Sequence, residues 1–146
     1  MSVRQMSPHR NRVLIVSADS DLNLLLNFLL EVDGFQVSVS TTPGTAIESL
    51  FTDQPEAIFF DLGFQGVNNL FFLHSIQQAC PDTPLYTIVR RELHRLAEKS
   101  LRAGARGYLL TPVDYRDVKQ LLGGTSRGRT QAAAEAHRNT TPSEGR

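Results

Sequence analysis

The sequence predicts a doubly wound α/β domain, a five-stranded parallel sheet flanked by five helices. Two observations carry that expectation. The apolar runs Val13–Val16, Ala57–Phe60 and Leu85–Val89 are short and continuous rather than alternating, as in strands covered on both faces. Between them lie segments with helical spacing of apolar residues, each bounded by a cap or a breaker. Strands and helices that alternate in this way form a parallel sheet with right-handed crossovers, whose chemistry gathers at the carboxyl ends of the strands.

The elements follow in order. After the strand Val13–Val16, Ser20 is placed to cap a helix to about Val32. Leu22, Leu25, Leu26 and Leu29 form its inner face, and Gly34 stops it. Phe35–Val39 is the second strand. Thr42 followed by Pro43 is an N-cap with proline at the first helical position, opening a helix to about Phe51. Ala57–Phe60 is the third strand, with Asp61 at its end. Leu70–Ala79 is the third helix, stopped by Pro81. Leu85–Val89 is the fourth strand, and Glu92–Ala103 is the fourth helix, ended by Gly104. Tyr108–Leu110 is the fifth strand. Asp114 caps the last helix, which runs to Leu122 ahead of Gly123 and Gly124. Residues 1–11 read as a flexible polar lead and 12–122 as the domain. Residues 123–146 carry few large apolar side chains, too few to offset ordering entropy, and read as a disordered tail.

A chain of 146 residues has room for one ordinary domain, large enough to bury a core without metal or disulfide staples. Cys80 is the only cysteine, which excludes an internal disulfide and a zinc spacing and suits the cytoplasm. No apolar run reaches the roughly 20 residues that span a bilayer. Residues 1–12 carry Arg4, Arg10 and Arg12 and lack the apolar stretch of a secretory signal. Net charge is zero, yet between Val13 and Val89 every formal charge is acidic, and from Arg90 onward the chain turns basic. That asymmetry speaks to partners rather than to fold.

Several short motifs sit at matching places in this pattern. They are an acidic turn after the first strand, Asp61 closing Ile58–Asp61, Gly66 in the loop that follows, and Ala103–Tyr108 ahead of Thr111 and Pro112. Together they resemble the receiver domain of bacterial two-component response regulators, the CheY-like version of the flavodoxin-like fold, over about Arg12 to Leu122. The resemblance implies that Asp61 is the position that takes a phosphoryl group from a histidine kinase. It also implies two acids after the first strand that hold Mg²⁺, a hydroxyl closing the fourth strand, and a lysine before the fifth-strand proline. Here these match Ser17 and Ala18, Val89, and Thr111. Asp61 alone survives of the five, and a cis peptide is implied before Pro112. Mg²⁺ is a hard cation that wants carboxylate oxygens, so the resemblance implies a pseudo-receiver that uses no cofactor. Mg²⁺ enters only if Asp61 is a working acceptor, with Asp19 salvaging the metal.

Asp61 has two readings. It is a relic bonded to backbone amides of the next loop, or it pairs with Arg90 as a substitute for the lost lysine. Tyr108 matches the family's aromatic switch, or it is a half-buried packing aromatic. Arg91, Arg95 and Lys99 recur every four residues, with Arg102 and Arg106 beyond. They form a solvated face or a docking surface for an acidic partner. The stripe is short, and nucleic acid is the weaker partner. Leu24 and Phe28, four apart outside the inner face of the first helix, suggest contact with a signalling partner or a second copy of this chain. Phe71 holds a similar outward position. No Ser-His-Asp, Cys-His or phosphate-loop pattern occurs, and no enzyme activity is expected. The expected function is a stand-alone, phosphorylation-independent interaction module in two-component signalling, with no membrane contact. The alternative is a phospho-acceptor modified on Asp61.

Overall fold

A computed structural model describes residues 11–123. The expected flexibility of the lead and disorder of the tail fall outside the described residues, apart from Asn11 and Gly123 at their inner edges. The order of elements is β1 (Arg12–Val16), α1 (Ser20–Val32), β2 (Gln36–Ser40), α2 (Pro43–Asp53), β3 (Ala57–Asp61), α3 (Asn69–Ala79), β4 (Leu85–Arg90), α4 (His94–Arg102), β5 (Gly107–Thr111) and α5 (Tyr115–Gly123). The five strands form one parallel sheet in the order β2-β1-β3-β4-β5. This is the predicted doubly wound fold.

Continuous apolar strands make sense because each face of the sheet meets helices. Leu14, Val16, Ile58, Phe60, Leu85 and Val89 point to one side, where they pack with Ala46 and Leu50 of α2, Leu73 and Ile76 of α3, and Ala97 of α4. Val13, Ile15, Ala57, Phe59, Tyr86 and Ile88 point to the other, against Leu26 and Leu30 of α1 and Val118, Leu121 and Leu122 of α5. Alternating residues of one strand thus serve two cores.

Tertiary packing moved several boundaries. Asp19, not Ser20, caps α1: its carboxylate accepts from the Leu22 amide at 3.1 Å. The inner face of α1 is turned toward Leu26 and Leu30, both fully buried, whereas Leu25 is largely exposed. A run of leucines lets a helix choose its face by packing rather than by period. β2 begins one residue later than expected, at Gln36, because Phe35 is tied to the end of α1, where its N–H donates to the Leu30 carbonyl. α3 opens at Asn69, with the Asn68 side chain accepting from Phe71. A 3₁₀ turn, Arg91–Leu93, precedes α4, so the fourth helix starts at His94 rather than Glu92. Thr42 and Pro43 open α2 as expected, and Asp114 Oδ1 accepts from the Arg116 amide at the start of α5. Gly34 and Gly66 have φ of 91° and 74°, the left-handed backbone that glycine takes without a steric penalty. The Thr111–Pro112 peptide is cis.

One buried polar contact ties β4 to α4. Thr87 and Ser100 are both fully buried, their hydroxyls lie 2.8 Å apart, and Ser100 Oγ donates onward to the Ala97 carbonyl at 2.7 Å. Ser100→Ala is expected to lower stability by about 1–3 kcal/mol, because the Thr87 hydroxyl loses its acceptor inside the core. Thr87→Val with Ser100→Ala should recover most of that loss. Urea unfolding of both variants checks the pair.

Candidate functional site

The carboxyl ends of β1 and β3 lie side by side, Val16 paired with Phe60, so the next residues, Ser17 and Asp61, become neighbours. Ser17 Oγ donates to Asp61 Oδ2 at 2.7 Å, and the Gly63 amide donates to Asp61 Oδ1 at 2.9 Å. Ser17 is itself fully buried. Its hydroxyl accepts from the Asp19 amide at 3.1 Å, and its carbonyl accepts from Asn23 Nδ2 at 2.9 Å. The serine is therefore the hub that joins the β1 turn, the first turn of α1 and the aspartate. Desolvation by burial pushes the Asp61 carboxyl above its ordinary value and Asp19 adds to the rise, while the Ser17 and Gly63 donors pull it down.

Asp61 opens onto a cavity of about 620 Å³ bounded by the ends of β3, β4 and β5 and the first turns of α1. Ala18, Asp19, Val89, Arg90 and Thr111 all reach its lining, so folding gathers these sequence-predicted residues around the aspartate. Val89 is buried and brings no donor. Arg90 does not pair with Asp61. Its guanidinium donates to Glu92 Oε2 at 3.1 Å, and its side chain is 69% exposed. The register explains this: Asp61 faces Ile88, so Arg90 starts two residues further along, roughly 6.6 Å beyond, and the 3₁₀ turn offers Glu92 next to it.

The donor set falls short of Mg²⁺, which takes about six oxygens and is usually held by one or two carboxylates. At Asp61 the nearest side-chain oxygen is a neutral hydroxyl, and Asp19 is turned into the cap of α1. Among the described residues no three His, Cys, Asp or Glu side chains come together as a metal site.

The other sequence-predicted residues lie apart from Asp61. Tyr108 is half-buried and packs against the core on the α3–α4 side of the sheet. Arg95 and Lys99 are exposed on α4, while Arg91 is exposed on the 3₁₀ turn before it, so the basic stripe starts outside the helix proper. Leu24 and Phe28 are 70% and 65% exposed on α1, and Phe71 is exposed at the start of α3. Sequence reasoning missed Thr87 and Ser100; the only signal was a threonine inside an apolar strand.

Residues 13–123 match the family model described as response regulator receiver domain. The chain belongs to that family. Among curated relatives this receiver is 25% identical over 130 residues to the transcriptional regulatory protein PrrA of Mycobacterium tuberculosis, covering 89% of the chain and 56% of PrrA. To the transcriptional regulatory protein CpxR of Escherichia coli it is 31% identical over 110 residues, covering 74% of the chain and 46% of CpxR. The chain thus spans about half the length of the curated relatives it matches. A solved response regulator from Chloroflexus aurantiacus superimposes with a TM-score of 0.74 at 19% identity, covering 80% of this chain and 98% of that one. Receiver folds of this kind are signalling modules rather than conventional enzymes. Among the described residues no helix is long and apolar enough to cross a membrane.

Asp61→Asn is expected to stabilise the receiver modestly at neutral pH, because burial raises the Asp61 carboxyl. The sign follows from the raised carboxyl. The folded state holds the proton to higher pH than the unfolded chain does. The aspartate therefore costs stability above its folded value and none once both states are protonated. The gain from Asn should shrink as pH falls through the carboxylate range, which thermal melts at neutral and acid pH would read.

Proposed function

We propose that this receiver works in the cytoplasm as a phosphorylation-independent interaction module, a pseudo-receiver that uses neither Mg²⁺ nor a phosphoryl group. The observation that carries this reading is the state of Asp61. Both its oxygens are engaged by Ser17 and Gly63, while Ala18 and Val89 bring neither charge nor donor and Thr111 brings a hydroxyl but no charge for phosphoryl transfer to rely on. Signal output then passes through protein contacts. The apolar pair Leu24 and Phe28 on α1 and the basic residues Arg91, Arg95 and Lys99 are the surfaces we assign to them, the second for an acidic signalling partner or a second copy of the chain.

Incubation with acetyl phosphate and Mg²⁺ is expected to leave the intact mass unchanged, and Asp61→Asn in cells is expected to be silent. A phosphoryl adduct that disappears in Asp61→Asn would make the receiver a working acceptor and overturn the reading. Leu24→Glu with Phe28→Glu should change stability by no more than about 0.5 kcal/mol, as surface substitutions do. The same pair should cost at least about tenfold in partner affinity or self-association, the loss expected when two apolar anchors at an interface are replaced by charge. Unchanged binding and oligomeric state would remove α1 from the interface.

A further inference from the structure

We propose that the cavity over Asp61 binds a small organic cation with an apolar body, an ammonium or amidinium on an aryl or alkyl frame. The inference rests on the reading that Asp61 is not a working phospho-acceptor, and it names what occupies the same site instead. Size, charge and wall chemistry each contribute. The cavity, about 620 Å³, falls in the range of roughly 300–1,000 Å³ typical of small-molecule sites. Its lining holds three carboxylates, Asp19, Asp21 and Asp61, and a single basic residue, Arg90, whose guanidinium is turned to Glu92. Thr111 stands in the lining where the family places a lysine, so among the described residues no side chain brings a positive charge to Asp61. Carboxylates gathered in a cleft with low-dielectric walls favour a cation and repel an anion.

The walls exclude the simplest cation. Leu22, Leu25, Phe64, Leu93, Leu96 and Val113 line the cavity, and of its carboxylates Asp61 already accepts from Ser17 and Gly63 while Asp19 caps α1. Leu25 and Leu93, 41% and 48% exposed, are both in the cavity lining. An apolar ligand body laid between them would cover that area. A neutral ligand of the same shape would remove water from Asp61 without replacing its hydrogen bonds, at a cost. An organic cation satisfies both demands. A carboxylate accepts about four hydrogen bonds; Ser17 and Gly63 supply one to each oxygen, and the ligand N–H groups take remaining positions.

The test titrates the ¹⁵N-labelled chain with phenethylamine and benzamidine, with phenylethanol and phenylacetate as neutral and anionic counterparts. Saturable shifts are expected at the Leu22 and Gly63 amides, with a Kd on the order of 1 mM or tighter, and the amine should bind at least about tenfold more tightly than the alcohol. Asp61→Asn should weaken the amine at least about tenfold. Thr111→Lys should do the same by supplying the protein's own cation, and its dispersed amide spectrum verifies that the variant is folded. Absence of saturable shifts, equal binding of amine and alcohol, or amine binding indifferent to both substitutions would overturn the proposal. Loss of this proposal with no phosphoryl adduct leaves the interaction-module reading standing. An Asp61 adduct from acetyl phosphate defeats that reading whatever the amines do.

Discussion

The combined variant Ser17→Asp, Ala18→Asp, Val89→Thr and Thr111→Lys is expected to acquire an Asp61-dependent phosphoryl adduct from acetyl phosphate and Mg²⁺. Its rate should exceed that of the parent receiver by at least about 10²–10³-fold, the effect of a single well-placed electrostatic group in a reacting site. The reasoning is local. Asp61 is in the right place at the end of β3, beside the end of β1 and facing a cavity that Ala18, Val89 and Thr111 already line. What it lacks is the charge that would hold Mg²⁺ and neutralise the oxygens of the incoming group. Ala18 is exposed at the rim, so a carboxylate fits there without repacking. Ser17 is fully buried and bonded to Asp61, so Ser17→Asp places two carboxylates together. The variant should therefore be less stable than the parent without Mg²⁺ and gain melting temperature when Mg²⁺ is added, by linkage. Intact mass over time, with Asp61→Asn in the same background as the control, reads the first effect. A folded variant that binds Mg²⁺ and stays unmodified would mean that these four groups alone do not make Asp61 an acceptor.

Phe60→Ala is expected to destabilise the receiver by about 3–5 kcal/mol, a large share of the roughly 5–15 kcal/mol that holds an ordinary domain together. Phe60 is fully buried on β3, stacks on Phe64 with ring centroids 5.9 Å apart, and packs among α2, α3 and α4 residues on one face of the sheet. The strand is central, paired with β1 and β4, and relaxation of its neighbours cannot close the space left by a ring. Phe64 lies in the cavity wall, so the same change should loosen the loop that supplies the Gly63 donor to Asp61. Urea unfolding should show a lower midpoint, and the Gly63 amide should exchange faster. A loss under about 1 kcal/mol would contradict the packing described for this face.

The elements were legible because their signals are local. A buried parallel strand is apolar along most of its length, which exposes β1, β3 and β4 in any reading of the chain, and Thr42 with Pro43 marks the start of α2 without help from tertiary structure. The departures from the family pattern at Ala18, Val89 and Thr111 were equally legible, since side-chain type and spacing decide them. The leucine-rich face of α1 was not. Leu22, Leu25, Leu26, Leu29 and Leu30 offer nearly the same hydrophobic energy over a wide arc, and only contact with the sheet chose Leu26 and Leu30.

By itself, then, the sequence determined the doubly wound sheet, covered on both faces, and four departures from the family's residue pattern around Asp61, because periodicity and side-chain chemistry travel with the chain. The tertiary structure alone decided where Asp61 sends its bonds. Ser17 reaches it because β1 and β3 are parallel neighbours in a register that aligns their ends, a pairing between residues 44 positions apart. Arg90 fails to reach it because the same register puts it two residues past the position facing Asp61, where Glu92 stands closer. Hydrogen bonds are short-range and directional, so a displacement of two residues settles the partner, and no residue type in the sequence records that displacement.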